Sequence, residues 1–336
     1  MGYFLGLDGG STKTHIVLYN PETGLLDLYT GRGSNYESMP GGYDELTQVL
    51  THMFDEFLGG HGITVSDIGR AAFGMAGVDT PKQHKDISQI LTGLGFKDFD
   101  LDNDCILGIK AATSHGYGIA CVSGTGFSVL GIDKTGRLMQ IGGMGVVTGD
   151  KGGGSYVAGE ATAYVYGQLF KAYPPSLMTD MFMQALEIPH RDNFMEAMHV
   201  KYYNGDMKAF SLTVCKIAFK AAALGDAAAI NILATSAKCY GENVVGILRE
   251  LDFSASPPEI VLTGSLPQKN PDSALVTAFD AYMKRHYQKP FVLKVLDAPS
   301  VLGALVWALD KDGTGAVTDD MRQQFNNELR RIASSS

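Results

Sequence analysis

A carboxylate, two glycines, two hydroxyl side chains and an amine follow one another at residues 8–13, DGGSTK, between the apolar runs YFLGL and IVLY. Glycine has no Cβ, so a turn made with two glycines lets backbone N–H groups approach a bulky anion such as a phosphate chain. Ser11, Thr12 and Lys13 add donors and a positive charge to the same turn. These residues predict a phosphate-binding hairpin tip.

Asp8 stands directly before this turn and needs a different explanation. An ionised carboxylate only accepts hydrogen bonds, so a phosphate would repel it unless a cation lay between them. Mg²⁺ bound partly through water would supply that cation. The P-loop pattern GxxxxGK[ST] and a clear Rossmann fingerprint are both missing from the sequence, so a nucleotide would have to bind by another route.

The order of features at the start of the chain returns from Gly116 onward. GYFLGLDGGSTKTHIVLYNPETG and GYGIACVSGTGFSVLGIDKTG both begin with Gly-Tyr, continue as an apolar strand, a Gly/Ser/Thr turn and a second apolar strand, and end in an Asn- or Asp-initiated turn closed by Thr-Gly. Two unrelated hairpins with similar turn chemistry are the alternative. The shared order of features favours an internal repeat, with Thr125 as the hydroxyl residue of the second tip.

Two carboxylates, Asp102 and Asp104, stand at the end of a predicted strand in LDNDC. Strand ends in α/β sheets face the ligand crevice, where a carboxylate can accept the proton of an attacking hydroxyl. The same residues can cap the helix that DCILGIKAA predicts. The sequence alone leaves both roles open.

Glycines are unusually dense in GGMGVVTGDKGGGSYVAGEA, at residues 142–154. This density predicts a loop built for close backbone approach, followed by a helix whose N-terminus faces a ligand. Asp150 lies within the loop and can accept hydrogen bonds from ligand hydroxyls. A merely flexible loop is the alternative.

The elements around these motifs alternate between helix and strand. YDELTQVLTHMFDEFLGG and PKQHKDISQILTGLGF predict helices, and RAAFGMAG and DFDLDND predict strands. Residues 156–251 are predicted to be mostly helical; then come the strand EIVLTG, a loop at 265–271, a helix to residue 287, the strand FVLKVL and the closing helix SVLGALVWAL.

Two related α/β halves predict two domains, residues 1–115 and 116–336, facing each other across a ligand cleft. The closing helix near residues 300–310 is expected to pack back on the first domain.

Composition excludes several function classes. The chain has 336 residues and a formal net charge of −9, with no basic stripe, so we expect neither nucleic acid nor a membrane as a partner. Its four cysteines form no CxxC pair and have no His cluster beside them, which predicts reduced thiols. No signal peptide or bilayer-length apolar run is evident. Together these features predict a cytoplasmic protein.

Seven motifs occur in order along nearly the whole chain, to about Leu309: LDGGSTKT, SNYES, GMAG, LDND, SGTG, GGMGVVTGDKGGGSY and VLTGS. This set resembles the N-acetylglucosamine kinase / BadF-BadG-BcrA-BcrD ATPase family, part of the actin–hexokinase–Hsp70 superfamily. The resemblance implies an α/β fold of two pseudo-symmetric actin/hexokinase-like (ribonuclease H-like) domains around an ATP cleft. It also implies ATP and Mg²⁺ as cofactors, and members of this family often form homodimers.

The resemblance implies roles for individual residues. At ATP it places Gly10, Ser11, Thr12, Lys13, Gly124, Thr125, Gly126, Ala222, Gly264 and Ser265. At the sugar it places Asn35, Asp104, Gly143, Met144, Gly145 and Asp150. Asp8 would lie near Mg²⁺, and Asp104 would be the catalytic base.

Three departures from the family pattern lie on the sugar side. The family loop is typically GGWGxxxGDEGS, but this chain has Met144 in place of the tryptophan and DKGGGS in place of DEGS. After SGTG, where the family often has Ser-Asn, stand Phe127 and Ser128. The phosphate motifs are intact, so ATP use is better supported than N-acetylglucosamine as the sugar.

These features predict phosphoryl transfer from Mg·ATP to a hydroxyl, the 6-OH, of an amino sugar such as N-acetylglucosamine or glucosamine. The altered sugar loop keeps a second hypothesis open, a non-catalytic sensor that binds sugar and ATP. A third is an ATPase that activates a 2-hydroxyacyl-CoA dehydratase through a shared iron–sulfur cluster. That role needs cysteines placed to bridge a dimer, and Cys105 and Cys121 lie close together in the sequence.

Overall fold

The computed structural model describes residues 2–310 and 317–335, and this part of the chain forms two compact units, each with one five-stranded sheet. Unit 1 comprises Met1–Ala120 and Leu296–Ser336, and unit 2 comprises Cys121–Val295. The strands are β1 (Tyr3–Gly9), β2 (Lys13–Asn20), β3 (Leu25–Arg32), β4 (Ile68–Met75), β5 (Phe99–Asp102), β6 (Gly118–Ser123), β7 (Phe127–Ile132), β8 (Leu138–Gly142), β9 (Glu259–Thr263) and β10 (Val292–Val295). The helices are α1 (Gly42–Gly60), α2 (Pro81–Gly93), α3 (Ile106–Ala112), α4 (Gly154–Phe170), α5 (Leu177–Ala185), α6 (Phe194–Met198), α7 (Met207–Ala223), α8 (Ala227–Glu250), α9 (Ser265–Lys269), α10 (Ala274–His286), α11 (Val301–Leu309) and α12 (Asp319–Ser335).

The sheet of unit 1 has the strand order β3-β2-β1-β4-β5. Its first three strands are antiparallel neighbours in sequence, whereas β4 runs parallel to β1 and β5 runs parallel to β4. Side chains alternate between the two faces of a strand, so Leu5 and Leu7 join the apolar core with α1 and α2, while Gly6 belongs to the opposite face.

Helix α11 covers that opposite face, where it packs on β1, β4 and α3. It crosses β1 at Gly6, where a Cβ would lie 2.6 Å from the backbone nitrogen of Leu305. It crosses α3 at Gly303, where a Cβ would lie 2.0 Å from the carbonyl oxygen of Leu107. Both crossings therefore depend on glycine.

The sheet of unit 2 has the order β10-β9-β6-β7-β8. When each sheet is numbered from its own first strand, both have the order 3-2-1-4-5. In both, the second and third strands are antiparallel and the fourth and fifth are parallel. The prediction of two related α/β halves, each opening with a glycine hairpin, is confirmed. Each half also has a third antiparallel strand, β3 or β8, that the sequence analysis did not predict.

The helices of unit 2 form a layer in which α7 packs between α4 and α8, and α8 packs on α10, β7 and β8. Among the described residues, no single helix is long and apolar enough to cross a bilayer, although α7 and α8, which meet at 110°, pass the length and composition test as a bent pair.

The prediction of a loop at residues 265–271 is wrong, because Ser265–Lys269 form the short helix α9. Pro267 lies in the first turn of this helix, where proline is tolerated. The side-chain oxygen of Gln268 accepts a hydrogen bond from the backbone N–H of Gly264 at 3.1 Å and so closes this turn.

Candidate active site

The first hairpin tip joins β1 to β2 through a tight turn. The N–H of Gly10 donates to the carbonyl of Lys13 at 3.1 Å, and the carbonyl of Gly10 accepts from the N–H of Ser34 at 3.0 Å. The segment after β4 also reaches the tip, because the N–H of Ala76 donates to the carbonyl of Gly9 at 2.8 Å. Backbone hydrogen bonds from two other loops therefore hold the tip in place.

Three predicted phosphate-side residues, Ser11, Thr12 and Lys13, are exposed at this tip. Asn35 lies beside them and is almost fully buried, and its side-chain amide donates to the hydroxyl of Ser11 at 2.9 Å. Its oxygen accepts from the N–H of Glu37 at 3.0 Å. The structure thus joins a predicted sugar residue directly to the predicted phosphate hairpin.

Asp8 and Asp104 lie at one edge of the sheet of unit 1. The parallel register pairs Asp8 with Gly74 and Gly74 with Asp102, so β1, β4 and β5 end together, and Asp104 follows two residues beyond β5. Asp104 is half-buried, and its pKa is raised to about 7, first by desolvation and then by the negative charges of Asp8 and Asp79. A carboxyl that titrates near neutral pH is suited to general-base catalysis.

Asn103 supplies the side chain that closes the turn into α3. Its oxygen accepts from the N–H of Cys105 at 2.9 Å, and its carbonyl accepts from the N–H of Ile106 at 3.1 Å. Its amide nitrogen donates to Asp79 at 2.9 Å. Asn103 therefore takes part in the helix capping that the sequence analysis considered for Asp102 and Asp104.

The surroundings of Asp8 bear on how a metal could bind. Its carboxylate lies 4.0 Å from Nδ1 of His15. Within residues 2–310 and 317–335, no three His, Cys, Asp or Glu residues are grouped so that they could hold a metal ion. Mg²⁺ usually keeps several waters and takes one or two carboxylates together with phosphate oxygens. Asp8 therefore fits a magnesium ion that binds together with a nucleotide.

The second hairpin tip joins β6 to β7, and Thr125 and Gly126 are exposed there. Helix α4 begins against this tip, because the N–H groups of Gly154 and Ser155 donate to the carbonyls of Gly124 and Thr125 at 2.8 and 3.1 Å. We expected the N-terminus of this helix to face a ligand. Its first N–H groups instead bind the hairpin.

The predicted adenosine-side residues Gly264 and Ser265 also lie beside the second tip. Gly264 has a φ of +90°, and a Cβ there would lie 2.4 Å from the carbonyl oxygen of Ser123. The hydroxyl oxygen of Ser265 lies close to Gly124, 3.9 Å from the point that a Cβ on this glycine would occupy. Ala222 is buried near the C-terminal end of α7.

Asp150 organises the predicted sugar loop. One of its carboxylate oxygens accepts from the N–H of Gly143 at 2.9 Å, from the N–H of Gly145 at 2.8 Å and from the hydroxyl of Thr148 at 2.8 Å. Four glycines with positive φ, at 142, 143, 145 and 149, allow the chain to fold around it. The loop is therefore an ordered structure built around the Asp150 carboxylate.

The tip of this loop is apolar and exposed. Met144 is 69% exposed, Val146 97% and Val147 83%. Met144, predicted to contact the sugar, therefore stands at the surface of unit 2, while Asp150 lies half-buried at the base of the loop.

The sequence pattern that defines the BadF/BadG/BcrA/BcrD ATPase family matches residues 5–308. The chain belongs to this family. The match includes both hairpin tips, Asp104 and the loop around Asp150.

Relatives and solved structures agree with this assignment. The chain is 24% identical over 310 residues to an N-acetylmuramic acid/N-acetylglucosamine kinase of Clostridium acetobutylicum, covering 92% of this chain and 98% of that protein. It is 24% identical over 319 residues to an N-acetyl-D-glucosamine kinase of Dictyostelium discoideum, covering 91% and 98%. A Chromobacterium violaceum protein, provisionally named an N-acetylglucosamine kinase, superposes with a TM-score of 0.68 at 21% identity, covering 91% and 98%. The predicted actin/hexokinase-like fold is confirmed.

Phe127, one departure from the family pattern, is buried beneath the sugar loop. Its ring stacks on Tyr240 with centroids 4.4 Å apart. A Cβ on Gly152 would lie 2.3 Å from Cγ of Phe127. Gly152 therefore leaves room for the ring of Phe127. Ser128, the next residue, pairs with Gly142 at the base of the loop.

Sequence reasoning missed Asp79 and Asn103. Asp79 follows the end of β4 by four residues, so the strand-end argument applied to Asp104 would have found it. Asn103 stood inside the quoted LDND motif. The thiols of Cys105 and Cys121 are fully buried, which does not suit a cluster shared with a second subunit.

Proposed function

We propose that this chain is an ATP-dependent carbohydrate kinase that transfers the γ-phosphoryl group of Mg·ATP to a hydroxyl of an amino sugar. The observation that carries the proposal is Asp104, with a pKa of about 7, at the sheet edge where the hairpin tip of residues 10–13 and Asn35 also lie. A base, a phosphate-binding turn and a polar sugar contact in one unit are what this reaction needs.

Asp104 is the general base. As the sugar hydroxyl attacks phosphorus, its proton passes to the Asp104 carboxylate, and the bond from phosphorus to the ADP oxygen breaks. Backbone N–H groups and hydroxyls at residues 10–13 and 124–126 orient the phosphates and spread the charge of the transferred group. Most of the catalysis is positioning and electrostatic stabilisation. When bound, Mg²⁺ held by Asp8 neutralises phosphate charge.

The sugar is an amino sugar of the N-acetylglucosamine type, and its 6-OH is the acceptor. Asn35, Gly143, Gly145 and Asp150 bind its polar groups, and Met144 contacts its apolar edge. The names of the two curated relatives support this class, because one acts on N-acetylmuramic acid or N-acetylglucosamine and the other on N-acetyl-D-glucosamine. Ala222, Gly264 and Ser265 bind the adenosine part of ATP. A cytoplasmic homodimer stays a prediction.

The test is coupled ADP release with Mg·ATP and a panel of N-acetylglucosamine, glucosamine, N-acetylmannosamine, N-acetylmuramic acid and glucose. Turnover on an amino sugar that Asp104→Asn abolishes is the expected result. The 6-deoxy analogue of the active sugar should be inert, while the 4-deoxy analogue should still react. Sugar binding without ADP release would instead favour the sensor.

A further inference from the structure

Helix α12 (Asp319–Ser335) lies beyond residues 5–308, the part of the chain that the family pattern matches. It packs on unit 1, where the ring of Phe325 meets Tyr19 edge to face at 5.0 Å and Leu329 is fully buried. The proposed reaction assigns nothing to this helix. Its contacts nevertheless connect it to α3, the helix that begins just after Asp104.

Arg322 reaches from α12 to the C-terminal end of α3. Its guanidinium donates to the carbonyl of Lys110 at 2.5 Å and to that of Ala111 at 3.4 Å. The last carbonyls of a helix have no partner within the helix, and a cation is favourable at that end of the helix dipole. Arg322 therefore caps α3 from a different part of the chain.

The other end of α3 contains the base. The N–H of Leu107 donates to the carbonyl of Asp104 at 3.1 Å, so the backbone of Asp104 is part of the first turn. The helix has 7 residues, which gives it a length of about 10 Å. Gly74 and Gly303 pack against its second residue, since a Cβ on Gly74 would lie 2.4 Å from the Leu107 side chain and one on Gly303 would lie 2.0 Å from the Leu107 carbonyl oxygen. A shift at one end of so short a helix moves the other end.

We propose that Arg322 is a positioning residue for the phosphoryl-transfer reaction: by holding the C-terminal end of α3, it sets where Asp104 stands. The inference rests on the proposed base role of Asp104. It assigns to α12 a function in catalysis, in a segment outside the family pattern.

The chain offers a matched control, because Arg330 lies on the same helix eight residues further on. Its guanidinium donates to the backbone carbonyl of Asp297 at 2.8 Å and pairs with the carboxylate of the same residue. Arg330 thus ties α12 to the segment before α11, and Arg322 ties it to α3. The two arginines differ in which element they hold.

The experiment compares kcat and both KM values of Arg322→Ala, Arg322→Lys and Arg330→Ala in the full chain. A small misplacement of a reacting group lowers the rate, so we expect Arg322→Ala to lose on the order of tenfold or more in kcat. Its KM values should stay within about twofold, since a structural defect at the substrate sites would move them. Arg322→Lys should recover part of the loss, and Arg330→Ala should keep nearly normal turnover.

Hydrogen exchange at the amides of Ile106 and Leu107 gives a readout that does not depend on activity. Exchange should be faster in Arg322→Ala than in Arg330→Ala. Equal exchange, or an equal loss of kcat in the two alanine variants, would overturn the positioning role. Activity retained by Asp104→Asn would overturn the base assignment instead. Should Arg322→Ala fail to fold, the same comparison is made with Arg322→Lys.

Discussion

The two hairpin tips sit on sheets of the same strand order, yet they are supported in different ways. In unit 1 the tip has a side-chain partner, since Asn35 donates a hydrogen bond to Ser11, and it lies near the carboxylates of Asp8, within β1, and Asp104, just after β5. In unit 2 the tip is supported by backbone, with the first N–H groups of α4 on its carbonyls and Gly264 against Ser123.

In both units the segment after the fourth strand of the sheet touches the tip. After β4 the N–H of Ala76 donates to Gly9, and after β9 Gly264 packs on Ser123. The repeated topology therefore determines where a tip is held, while the residues that follow the strands determine what it can do. The proton-transfer chemistry is assigned to the copy with carboxylates, and the other copy supplies close backbone approach.

The largest expected effect on the rate comes from substitution of the carboxylates of unit 1. Asp104→Asn should lower kcat about 10²–10⁴-fold, the usual range for loss of a general base, with a smaller change in sugar KM. Steady-state kinetics on the sugar found in the panel would measure it. Asp102→Asn, two residues earlier, is the control and should lose far less. A larger loss at Asp102 would move the base assignment to that residue.

The pH dependence should follow from the same residue. Burial and two neighbouring charges raise the pKa of Asp104 to about 7, and only the ionised form can take the proton. We therefore expect kcat/KM to fall roughly tenfold per pH unit below that value and to level off above it. A profile that stays flat between pH 5 and 8 would contradict an acid limb set by Asp104.

The backbone support of the second tip can be broken by one methyl group. Gly264→Ala adds a Cβ at 2.4 Å from the carbonyl of Ser123 at a φ of +90°. We expect a loss of about 1–3 kcal/mol in the free energy of unfolding, together with a higher KM for ATP. Gly159→Ala, within α4 and with open space around it, is the matched control and should stabilise the helix slightly. Urea unfolding would measure the change in the free energy of unfolding for both variants.

The raised pKa also predicts a stability effect with a definite sign. The folded state holds the proton of Asp104 more tightly than the unfolded chain, whose pKa is near 3.8. Ionisation therefore costs folding free energy progressively as the pH rises from about 4 to about 7, and Asp104→Asn removes that cost. The gain in Tm of the variant over the wild type should be larger at pH 8 than at pH 4.5. An equal gain at both values would argue against the shift.

The smallest effect should come from the side-chain link at the first tip. Ser11→Ala removes the acceptor of the Asn35 amide, which should raise the KM values for sugar and ATP together, each about fivefold, as expected for loss of one hydrogen bond. Thr12→Ala in the same turn should raise the KM for ATP alone. If both variants changed only the ATP value, Asn35 would not link the two substrates.

Much of this organisation could be predicted from local patterns. Both hairpins, the strand before Asp104 and the main helices follow from apolar periodicity and turn residues, because those signals lie within a short window of sequence. The third strands did not stand out, since β3 is half-buried or exposed along its length and lacks a clean alternation.

The contacts that build the site were beyond such patterns. The bond from Asn35 to Ser11 spans 24 residues, and that from Asn103 to Asp79 also spans 24. Arg322 meets Lys110 across 212 residues. Such pairs depend on how strands are ordered in the sheet and how helices pack on it, which no short window contains. The part that Asp150 plays in folding its own loop, where three loop donors bind one of its oxygens, was also not evident from the sequence.

The stacking of Phe127 on Tyr240 over Gly152 has a consequence for engineering. A designer who grafted onto this scaffold a loop with any side chain at position 152 would place its Cβ 2.3 Å from Cγ of Phe127. The loop and the residues beneath it, including position 127, must therefore be exchanged together. The substrate range of such chimeras would then change with the exchange of the whole loop rather than with single substitutions.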